Sequence, residues 1–138
     1  MKRKLPNILL IDDDDDSNFI HEKLLQQAAC AESINAVKDG REALDFLRLK
    51  NDEQQVFPSI IFLDIKMPHM DGWEFLKEYQ KLNEVWESKT VVIIFTQLFN
   101  LEDLGKAMSY SFVKGFKSKY LDKDGLQQIL VEHFNEYI

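Results

Sequence analysis

Among 138 residues the chain has a single cysteine, Cys30. No disulfide can close within it, and a reducing compartment is the expectation. With Ala28, Ala29 and Ala31 around it, Cys30 is expected to serve small-residue packing on a helix rather than reactive chemistry. No apolar run approaches the ~20 residues that a membrane helix needs; the longest, Val91 to Phe95, suits a strand. The basic start MKRKLPN leads into only four apolar residues, too few for a signal peptide. A cytoplasmic protein with no membrane partner is expected from both. Basic charge is also short: 17 lysines and arginines face 24 aspartates and glutamates, a formal net charge of −7. That balance disfavours unaided nucleic-acid binding, which needs a basic face. Linkers, low-complexity tracts and repeats are missing, so residues 1–138 read as one domain. The histidines, His21, His69 and His133, lack metal-ligand spacing and are expected to be solvated or half-buried.

What is present is a 45% hydrophobic chain, long enough to bury a core without covalent staples. Its apolar runs are Ile8–Ile11, Ser33–Val37, Ser59–Leu63, Val91–Phe95 and Phe112–Phe116. Three are nearly continuous rather than alternating, as a strand covered on both faces of a parallel sheet should be. Between them lie stripes at helical spacing. They are Ile20, Leu24 and Ala28; Ala43, Leu44 and Leu47; Phe75, Leu76, Tyr79 and Leu82; Leu104, Ala107 and Met108; and Leu126, Ile129, Leu130, Phe134 and Tyr137. Five strands alternating with five helices predict an α/β fold with helices on both faces of a parallel sheet.

In such sheets ligands bind beyond the carboxyl ends of the strands. Asp12 and Asp13 follow the first run, Asp64 the third and Thr96 the fourth, with Lys119 shortly after the fifth. Three carboxylates, a hydroxyl and an ammonium are therefore expected at one edge, a set suited to phosphate and metal chemistry. Adjacent carboxylates at the end of a buried strand repel, and a hard cation such as Mg2+ relieves this. Asp14, Asp15 and Asp16 are expected to be solvated at a helix start, where aspartates suit the dipole.

The segments Ile8-Leu-Leu-Ile-Asp-Asp13, Phe62-Leu-Asp-Ile-Lys-Met-Pro-His-Met-Asp-Gly72, Phe95-Thr96 and Ser118-Lys119 resemble, in order and spacing, the receiver domain of two-component response regulators. The resemblance covers nearly the whole chain. It implies a flavodoxin-like, doubly wound sheet in the order 2-1-3-4-5, and a phosphoryl group accepted on Asp64 from a histidine kinase or phosphotransfer protein. It implies Mg2+ held by Asp13, by Asp12 through water, by Asp64 and by the backbone carbonyl of Lys66. Lys119 and Thr96 would meet the phosphoryl oxygens, and Thr96 with Phe116 would form a switch. A downstream target protein would be read by the face of the fourth helix, fifth strand and fifth helix. With no output domain in the sequence, a stand-alone regulator acting by protein contact is expected. Met67-Pro68 and Asp71-Gly72 shape the loop after Asp64.

Two positions depart from the family. Gln97 follows Thr96 where a small residue is usual and narrows the approach to the site. Tyr120 follows Lys119 where proline is usual, often after a cis bond. Without proline the cis form costs about 2.5–4 kcal/mol, so a trans bond is expected, and the Lys119 ammonium loses its usual placement. These departures leave a second reading, a phosphorylation-impaired pseudo-receiver that acts as a binding module. Lys66 and Leu98 would flank the hydrolytic water; neither is suited to activate it, which predicts a phosphorylated state lasting minutes. A phosphatase of the haloacid-dehalogenase type fits poorly, because Asp16 stands where its motif needs Thr or Val.

Overall fold

The computed structural model describes residues 3–52, 57–67, 70–86, 89–96 and 100–135. Strands β1 (Leu5–Ile11), β2 (Ala31–Val37), β3 (Ile60–Asp64), β4 (Val91–Thr96) and β5 (Val113–Ser118) alternate with five helices. These are α1 (Asp15–Ala28), α2 (Gly40–Asp52), α3 (Gly72–Trp86), α4 (Leu101–Met108) and α5 (Lys123–His133). The strands pair in parallel in the order β2-β1-β3-β4-β5, the doubly wound arrangement expected.

Strand side chains alternate between faces, and here both faces are apolar. Leu9, Ile11, Ile61, Leu63, Val92 and Ile94 pack with Leu44 and Leu47 of α2, Phe75 and Tyr79 of α3 and Ala107 of α4. On the other face Ile8, Leu10, Ile60, Phe62, Ile93 and Phe95 pack with Leu25 of α1 and Leu126, Ile129 and Leu130 of α5. Burying both faces explains the continuous apolar runs of β1, β3 and β4.

Helix starts are set by side-chain oxygens that accept otherwise unpaired backbone N–H groups. Asp14 caps α1 by accepting from Asp16 N at 3.0 Å. Asn100 caps α4, Asp122 caps α5, and Asp71 Oδ1 accepts from Glu74 N at 3.0 Å in the first turn of α3. Helix α1 ends at Ala29 in the left-handed region, φ 51° and ψ 38°.

Several expectations are corrected. The buried face of α1 is Ser17, Asn18, His21 and Leu25; of the expected stripe Leu24 packs partly against the core, while Ile20 is 45% exposed and Ala28 is exposed as well. Leu25 joins the core, whereas Asn18 and His21 reach backbone groups and the His21 ring also stacks on Phe95. Asn18 Nδ2 donates to Asp12 O at 2.9 Å, and Leu121 N donates to His21 Nε2 at 3.1 Å. His21, expected near solvent, is thus buried. Met108 of α4 is half-exposed rather than inward. Cys30 is buried in the turn between α1 and β2, not on a helix. The Lys119–Tyr120 peptide is cis, against the expectation from the missing proline. Its surroundings fix the chain on both sides: Lys119 N donates to Thr96 O at 3.1 Å, and the Tyr120 ring lies 5.8 Å from the His21 ring. Pro68, His69, Gln97, Leu98, Tyr137 and the side chain of Trp86 lie outside the described residues.

Candidate functional site

The parallel sheet delivers the chemistry to one edge. Asp12 and Asp13 follow the end of β1, Asp64 ends β3, Thr96 ends β4, and Lys119 follows β5. Register keeps these ends level: Asp64 pairs with Phe95, and Thr96 with Ser118. Asp12 is held on its backbone by Asn18, and its Oδ1 accepts from Asp14 N at 3.0 Å. Asp13 is exposed, whereas Asp12, Asp64 and Thr96 are buried.

One oxygen from each of Asp12, Asp13 and Asp64 lies within 4.8 Å of the others. Lys119 Nζ stands beside the same cluster, 2.8 Å from Asp12 Oδ2 and 3.8 Å from Asp64 Oδ2. Burial opposes the Lys119 charge, but the hydrogen bond to Asp12 and the Asp64 and Asp12 carboxylates outweigh it, and its pKa is raised. Burial and the Asp12 charge push the Asp64 carboxyl up to about 7, despite the opposing pull of Lys119. Burial is the larger cause, and the Asp12 and Asp13 charges add a like-charge repulsion that the Lys119 ammonium only partly offsets. An all-oxygen donor set of this kind suits Mg2+, which takes hard ligands and keeps several waters.

The loop after Asp64 is shaped from below. Gly72 N donates to Ile65 O at 2.8 Å. A Cβ at Gly72 would lie 2.7 Å from Ile65 Cα and 3.1 Å from Asp64 O, so only glycine lets α3 start this close to the end of β3. A backbone hydrogen bond from Lys66 also reaches the Asp64 carboxylate. Beside Asp13 an open cleft of about 480 Å³ runs past Lys66, Met67, Asp71 and Trp73. The Lys106 ammonium of α4 sits 4.6 Å from the Trp73 ring centroid.

Phe116 lies on β5 opposite Ile94, half-buried against the core shared by α2, α3 and α4. Sequence reasoning missed Asn18 and His21, which tie α1 to Asp12 and to the chain after Lys119. The signal was present as Ser17, His21 and Leu25 at fourfold spacing, with Asn18 beside them. An apolar search passes over it.

The family model for the response regulator receiver domain matches residues 8–131. A probable methanogenesis regulatory protein, FilR2, of Methanothrix harundinacea (strain 6Ac) is 28% identical over 130 residues, 94% of this chain and 81% of that protein. The crystal structure of a two-component response regulator from Cytophaga hutchinsonii superposes with a TM-score of 0.87. It is 29% identical and is matched over 96% of this chain and 99% of that one. The receiver domain of the histidine kinase CKI1 from Arabidopsis thaliana, crystallised with Mg2+, shares the fold at a TM-score of 0.79. It is 22% identical, over 95% of this chain and 93% of that one. Receiver domains are phosphoacceptors that bind Mg2+ at an acidic pocket and interact with histidine kinases or phosphotransfer proteins. With five strands in the order β2-β1-β3-β4-β5 and a family match over most of its length, this chain belongs to the response regulator receiver domain family.

Proposed function

We propose that this chain is a cytoplasmic response regulator receiver that accepts a phosphoryl group on Asp64 and signals by protein contact. One observation carries the reading. The oxygens of Asp12, Asp13 and Asp64 gather within 4.8 Å, with the Lys119 ammonium beside them. Asp13 and Asp64 would hold Mg2+ directly, Asp12 through water, and the Lys66 carbonyl would complete the protein ligands. Bound there, Mg2+ supplies charge neutralisation to the phosphoryl oxygens.

The chain's own residues do the rest. An Asp64 oxygen attacks phosphorus in line with the bond to the donor histidine nitrogen; that bond breaks as the acyl phosphate forms, and its electron pair stays with the imidazole. Little proton chemistry is needed, so positioning and charge dominate. The Lys119 ammonium turns from Asp12 Oδ2 to a phosphoryl oxygen, and the Thr96 hydroxyl donates to another. Movement of Thr96 towards the phosphoryl group opens space into which Phe116 turns. The changed α4, β5 and α5 face then meets the target, and Leu101, Met108 and Val131 are the large apolar side chains exposed on its helices.

The close approach of Lys119 to Asp12 and Asp64 weighs against the pseudo-receiver reading, since displacement of that ammonium was one of its two reasons. The other reason, Gln97, lies outside the described residues. Phosphoramidate with Mg2+ tests the proposal by intact mass. One added phosphoryl group is expected on the wild type and none on Asp64→Asn. Stoichiometric labelling of Asp64→Asn on another residue would overturn the assignment.

A further inference from the structure

Helix α1 turns a polar rather than an apolar edge towards the chain that follows β5. His21 is buried there, its ring stacked 5.5 Å from Phe95 at 25° and 5.8 Å from Tyr120. Its Nε2 accepts the Leu121 N–H at 3.1 Å, a hydrogen bond between residues 100 positions apart. Accepting that N–H requires a lone pair on Nε2, and burial, with Asp12 opposing and Lys119 assisting, lowers the imidazole pKa in the same sense. The bonded N–H lies two residues after Lys119, whose own N–H is tied to Thr96 O at 3.1 Å. One turn earlier on α1, Asn18 holds the carbonyl of Asp12, the residue that Lys119 pairs with. A single helix therefore grips the backbone on both sides of the buried Asp12–Lys119 pair.

We propose that His21 is a positioning residue, which holds the Lys119 ammonium over Asp12 and Asp64 through the hydrogen bond that its Nε2 accepts from Leu121. This rests on the reading of Lys119 as the group that neutralises the phosphoryl oxygens. Errors of about 1 Å in placing such a group can slow a reaction by up to a hundredfold. The loss falls on the transfer step, and Mg2+ binding is not weakened, because Asp12 and Asp64 are held by other bonds.

The test compares His21→Leu, which removes the acceptor, with His21→Gln, whose amide oxygen can reach the Nε2 position, and His21→Asn, whose amide is too short. Rates of phosphoramidate labelling are read by intact mass at saturating donor, and Mg2+ affinity by calorimetry. His21→Leu and His21→Asn are expected to label about tenfold more slowly with KM for phosphoramidate within about twofold, while Mg2+ affinity is not weakened. His21→Gln should label within about twofold of wild type. Wild-type rates for His21→Leu, equal rates for the Gln and Asn variants, or Mg2+ affinity falling in step with rate would each overturn the proposal. If His21→Leu does not fold, the Gln and Asn pair decides by the same criteria. Lys119→Met separates the two levels. A slow Lys119→Met beside a fast His21→Leu rejects only the role of His21, whereas a fast Lys119→Met rejects the reading of Lys119 itself.

Discussion

Lys119 Nζ lies 2.8 Å from Asp12 Oδ2, and only 4% and 6% of the two side chains are exposed. The ammonium thus sits against a proposed cation ligand while a second carboxylate, Asp64, stays 3.8 Å away. Its charge serves the cluster and at the same time repels a divalent ion.

Replacing Lys119 by Met should therefore act in opposite directions on two measurements. Without metal, Asp12 and Asp64 face each other with no cation, and breaking a buried pair costs about 3–5 kcal/mol. Mg2+ should bind several-fold more tightly, because the repelling ammonium is gone, and should raise the melting temperature more than it does for wild type. Calorimetric titration checks this; unchanged Mg2+ affinity would show that the ammonium and the cation do not compete.

Asp64→Asn should stabilise the metal-free protein in a pH-dependent way. The Asp64 carboxyl rises from 3.8 to about 7 on folding, so the folded state favours its protonated form. The penalty of ionising it is absent below the unfolded pKa, grows as pH rises from about 4 to about 7, and is complete above that. Allowing for solvent screening it is on the order of 1–2 kcal/mol, a melting shift of about 4–8 °C. The gap between variant and wild type should be small at pH 4, widest at pH 8, and closed by millimolar Mg2+. A gap that is constant with pH would refute the reading that burial and neighbouring charge oppose ionisation of Asp64.

Gly72→Ala should damage the site from outside it. The new Cβ would sit 2.7 Å from Ile65 Cα, and backbone must shift, at a cost of about 1–3 kcal/mol. Because the same backbone carries Asp64, Mg2+ affinity and phosphoramidate labelling should both fall. Normal affinity in a destabilised variant would show that the loop tolerates the displacement.

Ala29→Gly is a control in the opposite sense. Ala29 is exposed and left-handed, with φ 51°, a conformation that favours glycine. Relief of the left-handed backbone, about 1–2 kcal/mol, less the extra entropy that glycine loses, about 0.5–1 kcal/mol, should raise stability by about 0.5–1 kcal/mol, with labelling unchanged. A lower melting temperature would contradict it.

The sequence by itself determined the sheet and the edge where chemistry gathers. Parallel strands covered on both faces must be apolar throughout, so Ile8–Ile11, Ile60–Leu63 and Val91–Phe95 announce themselves, and the βα alternation forces Asp12, Asp64 and Thr96 to one side. The strand order came from resemblance, since periodicity carries no information about which strands are neighbours. Tertiary structure alone decided which face of α1 turns inward, because His21 is buried by the distant Leu121 N–H and Phe95 ring and Asn18 by the carbonyl of Asp12, none of which an apolar stripe on the helix records. It also decided that the Lys119 ammonium rests on Asp12 more closely than on Asp64. A long flexible side chain takes its position from the charges that the fold assembles around it, and no local pattern of residues records that.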